Sequence, residues 1–549
     1  MRVTILATKQ AAAIAITVVA LGALEAADQP ATKKFFSDDP LWTMPPPAAT
    51  VNPTARKLSD YYDFFENTLF ARGERATHNG EYLPSQGINT VDEVPDSTWY
   101  TNRHARHRMS LEELKRGTGS SAPPAPGKWN IIAAKNEGVT PGFRIRDAAG
   151  RQYFIKFDPL SNPEMASAAD VITSKFFYAL GYNVPENYVV YFDRSQIAID
   201  EGAMLKDHTG RKRPIHNNDV DEMLLKAPRR PDGKYRAMAS TVISGKPVGP
   251  FLYHGTRSDD PNDLVEHENR RDLRAVRTFA AWLGHDDSKA LNSLDVLVQD
   301  KGVPFIKHYL IDFGASLGSA SFMANSPRDG NVYLFDWKSS AAQFFSLGLY
   351  IPRWQRAWYP KLPAVGRFEY EIFDPDRWVP DYPNTAFRNE NPSDRSWAAR
   401  KIQAFTEDEI RAMVSTGEYT DPAATDWVAR CLIERRKKIV NAYLTGMGGL
   451  DGFEIRNGRL EFRDIGPKPV AADSIQVEWA VFANETGGER ALPGERSFQL
   501  PKEAKDHRYV VAHLIGPSAP SISVYVRTFT EPPLVVGIDR QFGSIQGKE

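Results

Sequence analysis

The run His285-Asp286-Asp287-Ser288-Lys289-Ala290-Leu291-Asn292, followed downstream by Asp312-Phe313-Gly314, sets carboxylates, a lysine and an amide in an order that could act on a phosphate. Phosphoryl transfer asks for little covalent help from a protein. It needs cations to hold the phosphates, a carboxylate to orient the attacking hydroxyl, and oxygen ligands that place magnesium between phosphate oxygens. The amide oxygen of Asn292 and the carboxylate of Asp312 are the hard oxygen donors magnesium prefers, provided the fold brings them together.

A hairpin is expected to do this. Two apolar strands, 294–298 and 305–311, flank the turn Asp300-Lys301-Gly302, so the second strand returns Asp312 to the end from which Asn292 departs. Before them, Leu273, Val276, Phe279, Ala280 and Leu283 mark one face of a helix that ends just ahead of Asp287. Further upstream the spacing predicts strands at 129–134, 143–146 and 151–157. A helix then runs from Asn162-Pro163 to Leu180 with Gly181 as its stop, and two more strands at 188–192 and 237–243 are separated by a polar insertion at about 202–234. Five strands and one helix make a small α+β lobe in front of a mostly helical one.

Strands return after Gly446. Residues 453–455 and 459–462 flank the hairpin turn Asn457-Gly458, and 475–482, 509–515, 522–526 and 534–538 continue an all-β unit of sandwich type. At the other end, Pro45-Pro46-Pro47 and the proline-rich 121–126 bracket an N-terminal extension expected to pack on the next domain. Its helix signals are Tyr61, Tyr62, Phe65 and Leu69 and a capping box from Ser110 to Glu113. The basic run 103–108 reads as a solvated face. The expected division is therefore 1–27 signal peptide, 28–127 extension, 128–446 two-lobed domain (lobes 128–249 and 250–446) and 447–549 β domain.

The motifs of the central region resemble those of the protein-kinase superfamily. Residues 285–292 match the H-x-D-x-K-x-x-N form of its catalytic loop, and Asp312-Phe313-Gly314 its D-F-G. The lead-in Leu283-Gly284-His285-Asp286-Asp287 is similar to the L-G-x-x-D of the atypical branch, which includes phosphoinositide, HipA-like, spore-coat H and secreted kinases. The resemblance implies a two-lobed fold that uses ATP with Mg2+ or Mn2+. In it Asp287 is the catalytic base, Lys289 steadies the transferred phosphate, and Asn292 and Asp312 bind metal. Lys156, in Phe154-Ile155-Lys156, stands where the family's V-A-I-K lysine holds the α and β phosphates; its acidic partner is left open between Glu164 and Asp170. The counterpart of the phosphate-covering loop, 136–142, carries two glycines, Gly138 and Gly142, instead of three, and Pro141 removes one amide donor. A look-alike of the catalytic loop, Arg271-Asp272-Leu273, is rejected because position 277 is arginine and the segment lies mid-helix.

Composition bounds the remaining choices. With 549 residues, 42% hydrophobic, 25% charged and a net charge of −1, the chain is globular and multi-domain and offers no bulk charge for nucleic acid. Arg2 and Lys9 precede the apolar run 11–24 and the small residues at Ala26-Ala27. This is the pattern of a cleaved signal peptide, so the chain is expected to be exported, periplasmic or secreted, with no integral membrane segment after cleavage. The single cysteine, Cys431, permits no intramolecular disulfide and reads as a buried inert thiol. His267-Glu268 has no second histidine one turn on, and the aromatic segment 314–406 reads as core before it reads as a substrate groove. The expectation is an exported kinase acting on a protein, glycan or small-molecule acceptor. Two other readings remain: a secreted pseudokinase that serves as a binding platform, and a nucleotidyl or glutamyl transferase on the same scaffold.

Overall fold

The computed structural model describes residues 33–59, 61–70, 72–73, 82–134, 142–206, 211–336, 345, 351–493 and 496–542. Within it the strands β1 (Trp129–Ala134), β2 (Gly142–Arg146), β3 (Gln152–Lys156), β4 (Asn187–Phe192), β5 (Ile197–Lys206), β6 (Lys212–Pro214) and β7 (Tyr235–Thr241) form one sheet in the order β4-β7-β3-β2-β1-β5-β6. Period-two alternation builds it. Ile131, Phe143, Ile145, Tyr153 and Ile155 all point to one buried layer with Phe157 and Phe192. The five expected strands form its contiguous block. The polar insertion contributes β5, β6 and the helix Asn217–Leu224, which the spacing had left without structure. Strand β5 pairs in parallel with β1 near the sheet's edge and leaves most side chains partly or wholly in water, so no apolar alternation marks it.

The helix Met165–Leu180 lies between this sheet and the second lobe, and nearly all of it is buried. It starts later than Asn162-Pro163, after Glu164 in the left-handed conformation, and stops at Gly181 as the sequence indicates. A Cβ at Gly181, where φ is 120°, would lie 2.2 Å from the Tyr100 ring, so packing and backbone both require glycine there.

The second lobe is helical around one small sheet: β8 (Lys246–Gly249), β9 (Ser293–Asp300) and β10 (Val303–Leu310), in the order β10-β9-β8. Lys301 and Gly302, both at positive φ, make the tight turn between β9 and β10. Every residue of the helix Arg271–Leu283 is buried, including four charged ones. Burial of guanidinium groups is tolerated only with partners. Arg271 bonds Asp92 at 2.5 Å and Asp394 at 3.3 Å, and Arg277 bonds Glu390 at 2.9 Å.

The C-terminal unit is two-layered and sandwich-like, with unequal layers. An antiparallel sheet β14-β13-β15-β16-β17 is formed by β13 (Gln476–Phe482), β14 (Glu489–Ala491), β15 (Tyr509–Ile515), β16 (Ser521–Arg527) and β17 (Leu534–Gln541). It faces the hairpin of β11 (Leu450–Arg456) and β12 (Arg459–Asp464) across Phe453, Leu460, Val477 and Trp479. Phe35 of the N-terminal extension fills the opposite face against Phe482, Tyr509 and Tyr525. The extension also supplies Asp92, whose carboxylate takes Arg271, Arg400 at 3.2 Å and Arg540 at 3.2 Å. Extension, helical lobe and β unit thus meet on one buried acid.

Two local expectations are corrected. The basic run 103–108 is a solvated face only from Ala105 to Arg108. Arg103 donates to the carbonyls of Tyr178 and Tyr182, and His104 is buried beside Glu409. The segment around Tyr61 and Phe65 is a π-helical stretch, Asp63–Phe70, with its apolar side outward and Asp63 and Asn67 buried.

Candidate active site

Gly284 ends the helix Arg271–Leu283 in the left-handed conformation and turns the chain into the loop that carries Asp287. His285 is buried there. Its Nδ1 lies 2.8 Å from the Ala315 carbonyl and its ring packs on Phe313, which ties the loop to the segment after Asp312. Burial pushes the imidazole below its ordinary pKa, so it is a neutral strut. Asp286 accepts from Asn325 Nδ2 at 2.6 Å. Asp287 accepts from Asn292 Nδ2 at 2.9 Å and pairs with Lys289 Nζ at 2.6 Å. With its NH2 group committed to Asp287, Asn292 keeps its amide oxygen for a cation. The β9–β10 register pairs Ser293 with Leu310, and Ile311 N donates to the Asn292 carbonyl at 3.0 Å, so Asn292 and Asp312 leave the hairpin at one end.

Lys156 closes the site from the other lobe. It ends β3, opposite Gly142 on β2 and Met238 on β7, and its ammonium lies 2.6 Å from Asp312 Oδ1 and 3.2 Å from Asp170 Oδ2. Burial alone would lower this lysine. The two carboxylates more than offset it and hold the ammonium above the usual range. Asp170 is raised by its burial against the pull of Lys156, and its other oxygen accepts from Asn187 Nδ2 at 2.8 Å and the Phe313 amide at 3.3 Å. Asp312 itself sits at φ 62°. A strained backbone at the first residue of Asp-Phe-Gly is over-determined by the ion pair and by the buried Phe313 beside it.

The choice of acid partner is thereby resolved in space. Asp170 joins Lys156, whereas Glu164 does not: its carboxylate accepts from the Thr420 amide at 2.8 Å and from the Thr420 hydroxyl, so it fastens the helix start to the second lobe. Gly142 pairs with Lys156 across β2 and β3, where a Cβ would stand 2.1 Å from the Ile155 carbonyl oxygen. Gly138 lies outside the described residues. Asn187, which orients Asp170, and Asp381 were not singled out from the sequence; neither belongs to a spaced motif.

A cleft of ≈240 Å³ is lined by Lys156, Asp170, Met238, Asp312, Gly314 and Ser321, among others. A larger one, ≈550 Å³, has Asp286, Asn325, Asp329 and Arg435 in its wall. The acids near Asp286 are crowded. Burial, then Asp287 and Asp329, push the Asp381 carboxyl up to about 7. Among the described residues no group of three or more His, Cys, Asp or Glu side chains is arranged to hold a metal. The oxygen pair of Asn292 and Asp312 fits an ion that takes its remaining ligands from phosphates and water, as magnesium does.

No family model and no curated protein matches the chain. Among solved structures, a Helicobacter pylori proinflammatory kinase, CtkA, is similar over 57% of this chain and 93% of its own, at 11% identity and a TM-score of 0.30. The Golgi casein kinase is similar over 60% of this chain and 74% of its own, at 9% identity and a TM-score of 0.28. Its structure with Mn/ADP bound is similar over 62% of this chain and 77% of its own, at 10% identity and a TM-score of 0.24. At such values the likeness bears on neither activity nor substrate. The chain's own topology and cleft define a two-lobed, protein-kinase-like fold: a sheet lobe packed on the helix Met165–Leu180, a helical lobe with an embedded hairpin, and a lysine paired with an acid from each.

Proposed function

We propose that this chain is an exported kinase that transfers phosphate from ATP, with Mg2+ or Mn2+, to a protein, glycan or small-molecule acceptor. One observation carries the reading: Lys156 is held between Asp170 and Asp312 while Asp287 holds both Asn292 and Lys289, so the members of a phosphotransfer site stand preassembled. When bound, metal-ATP supplies the phosphoryl group and the divalent charge that screens it.

The chain's own residues do the rest. Lys156 exchanges one carboxylate for phosphate oxygens while Asp170 keeps it in place. Asn292 and Asp312 offer oxygen to the cation. Asp287 still has lone pairs to accept the acceptor's hydroxyl proton, and Lys289, held on it, meets charge developing on the transferred group. Preorganisation of this kind is worth several powers of ten in rate.

Purified mature protein incubated with magnesium-ATP and candidate acceptors tests the reading. Turnover lost in Asp287→Ala and Asp312→Ala is expected; unchanged turnover in both variants sinks it. Export rests on the first 27 residues, and mass spectrometry of the N-terminus recovered from the cell envelope should find it cut near Ala26 or Ala27. Among the described residues no helix is long and apolar enough to cross a membrane.

A further inference from the structure

The π-helical stretch Asp63–Phe70 is oriented the wrong way for an ordinary amphipathic segment. Tyr61 is 69% exposed, Phe65 47% and Leu69 56%, whereas Asp63 is 1% exposed and Asn67 6%. Hydrophobic burial would have turned the other face inward. What turns this face inward is the catalytic loop. Asp63 Oδ1 accepts from the Ala290 amide at 3.1 Å, and Oδ2 faces the Leu291 amide at 3.5 Å. These residues form the short 3-10 turn Ala290–Asn292, whose own cap residue, Lys289, makes no side-chain cap, since an ammonium has no acceptor to offer the turn's amides and here pairs with Asp287. Asn67 Nδ2 in turn fixes Asp63 Oδ1 at 2.9 Å, and the neighbouring Tyr62 hydroxyl reaches His254 at 3.2 Å.

We infer that Asp63 is a positioning residue of the active site: from 227 positions upstream it caps the turn between Lys289 and Asn292 and so sets where both side chains point. The N-terminal extension is then part of the catalytic apparatus. The inference rests on the kinase reading for its consequence in rate, and on hydrogen bonding alone for its geometry. An anionic cap suits the place, because the first amides of a helical turn lack internal partners and Lys289 is close enough to feel the charge. Lys156, the residue assigned to the phosphates, is fixed by Asp170 and Asp312, whereas Asp63 bonds the loop, so the hold of Lys156 on nucleotide and the placement of the loop are separable.

Asp63→Ala and Asp63→Asn test this, the second because an amide oxygen can still accept from the loop. Expected is a fall in kcat of roughly 10–100-fold for Asp63→Ala, the usual cost of misplacing reacting groups by about an ångström. The KM for ATP should rise by a smaller factor than kcat falls, because Lys156 still holds the phosphates and only one of the two metal donors is displaced, and Asp63→Asn should recover most of the loss. Hydrogen exchange of the Ala290 and Leu291 amides should quicken in Asp63→Ala while the β3 amides stay protected, a readout that needs no turnover. A wild-type chain without turnover would therefore count against the kinase reading and leave the capping measured on its own. Native exchange at Ala290 and Leu291 in Asp63→Ala overturns the inference. So does a kcat loss that the Asn variant fails to recover or that a parallel drop in melting temperature accounts for.

Discussion

At the scale of single residues, the cleft is a set of charges that stabilise one another unequally. Asp170 is buried and Lys156 half-buried, so truncating Lys156 strands a carboxylate that burial already disfavours. Lys156→Ala is expected to lower unfolding stability by about 3 kcal/mol, read from urea midpoints. Asp312, 41% exposed at its side chain, can be rehydrated once released, and Asp312→Ala should cost less than about 1 kcal/mol while abolishing turnover. Asp381 gives a pH signature. Its folded carboxyl, raised to about 7, stands above its unfolded value. Its contribution is therefore fully present below the unfolded pKa and is lost as pH rises through about 7. Asp381→Asn, which has no proton to lose, should gain on the wild type by about 2 kcal/mol between pH 5 and pH 8 in paired denaturation curves. A constant difference across that range would exclude a raised carboxyl there.

At the scale of elements, position depends on close backbone approach as much as on pattern. The β2–β3 pairing that presents Lys156 leaves no room for a side chain at Gly142. Gly142→Ala should destabilise by about 2 kcal/mol and raise the KM for ATP, because β3 must move to admit the methyl group. The hairpin, the helix ending at Gly181 and the block of five strands were legible because each is built by local rules: alternation, a stop glycine, a turn pair at positive φ. Strand β5 was not legible, because a strand next to the sheet's edge with most of its side chains in water has no apolar period to display. Nor was the true start of the helix Met165–Leu180. Its N-terminus is set by Glu164 bonding across to Thr420, a contact that no local window contains.

At the scale of the whole molecule, the parts are joined by charge as well as by apolar surface. Asp92 gathers Arg271, Arg400 and Arg540 from two separate units, all three nearly devoid of solvent. Asp92→Ala leaves three guanidinium groups facing one another. It should destabilise the protein by about 3 kcal/mol or more, and in calorimetry it should split one unfolding transition into two as the β unit separates from the helical lobe. A single transition, merely shifted, would show that apolar contacts such as Phe35 in the β sheet suffice to couple them.

The sequence by itself determined which residues could do chemistry and in what order. Carboxylate, lysine, amide and the later Asp-Phe-Gly are adjacent or bound to one hairpin, and local spacing settles where a hairpin's ends go. Tertiary structure alone decided between Glu164 and Asp170, since both lie in the same stretch of chain and only packing of the helix against both lobes turns one carboxylate to Lys156 and the other to Thr420. It alone decided as well that the extension reaches the loop between Asp287 and Asn292. Asp63 carries no motif, and its meaning comes from two amides far along the chain that folding brings within hydrogen-bond reach.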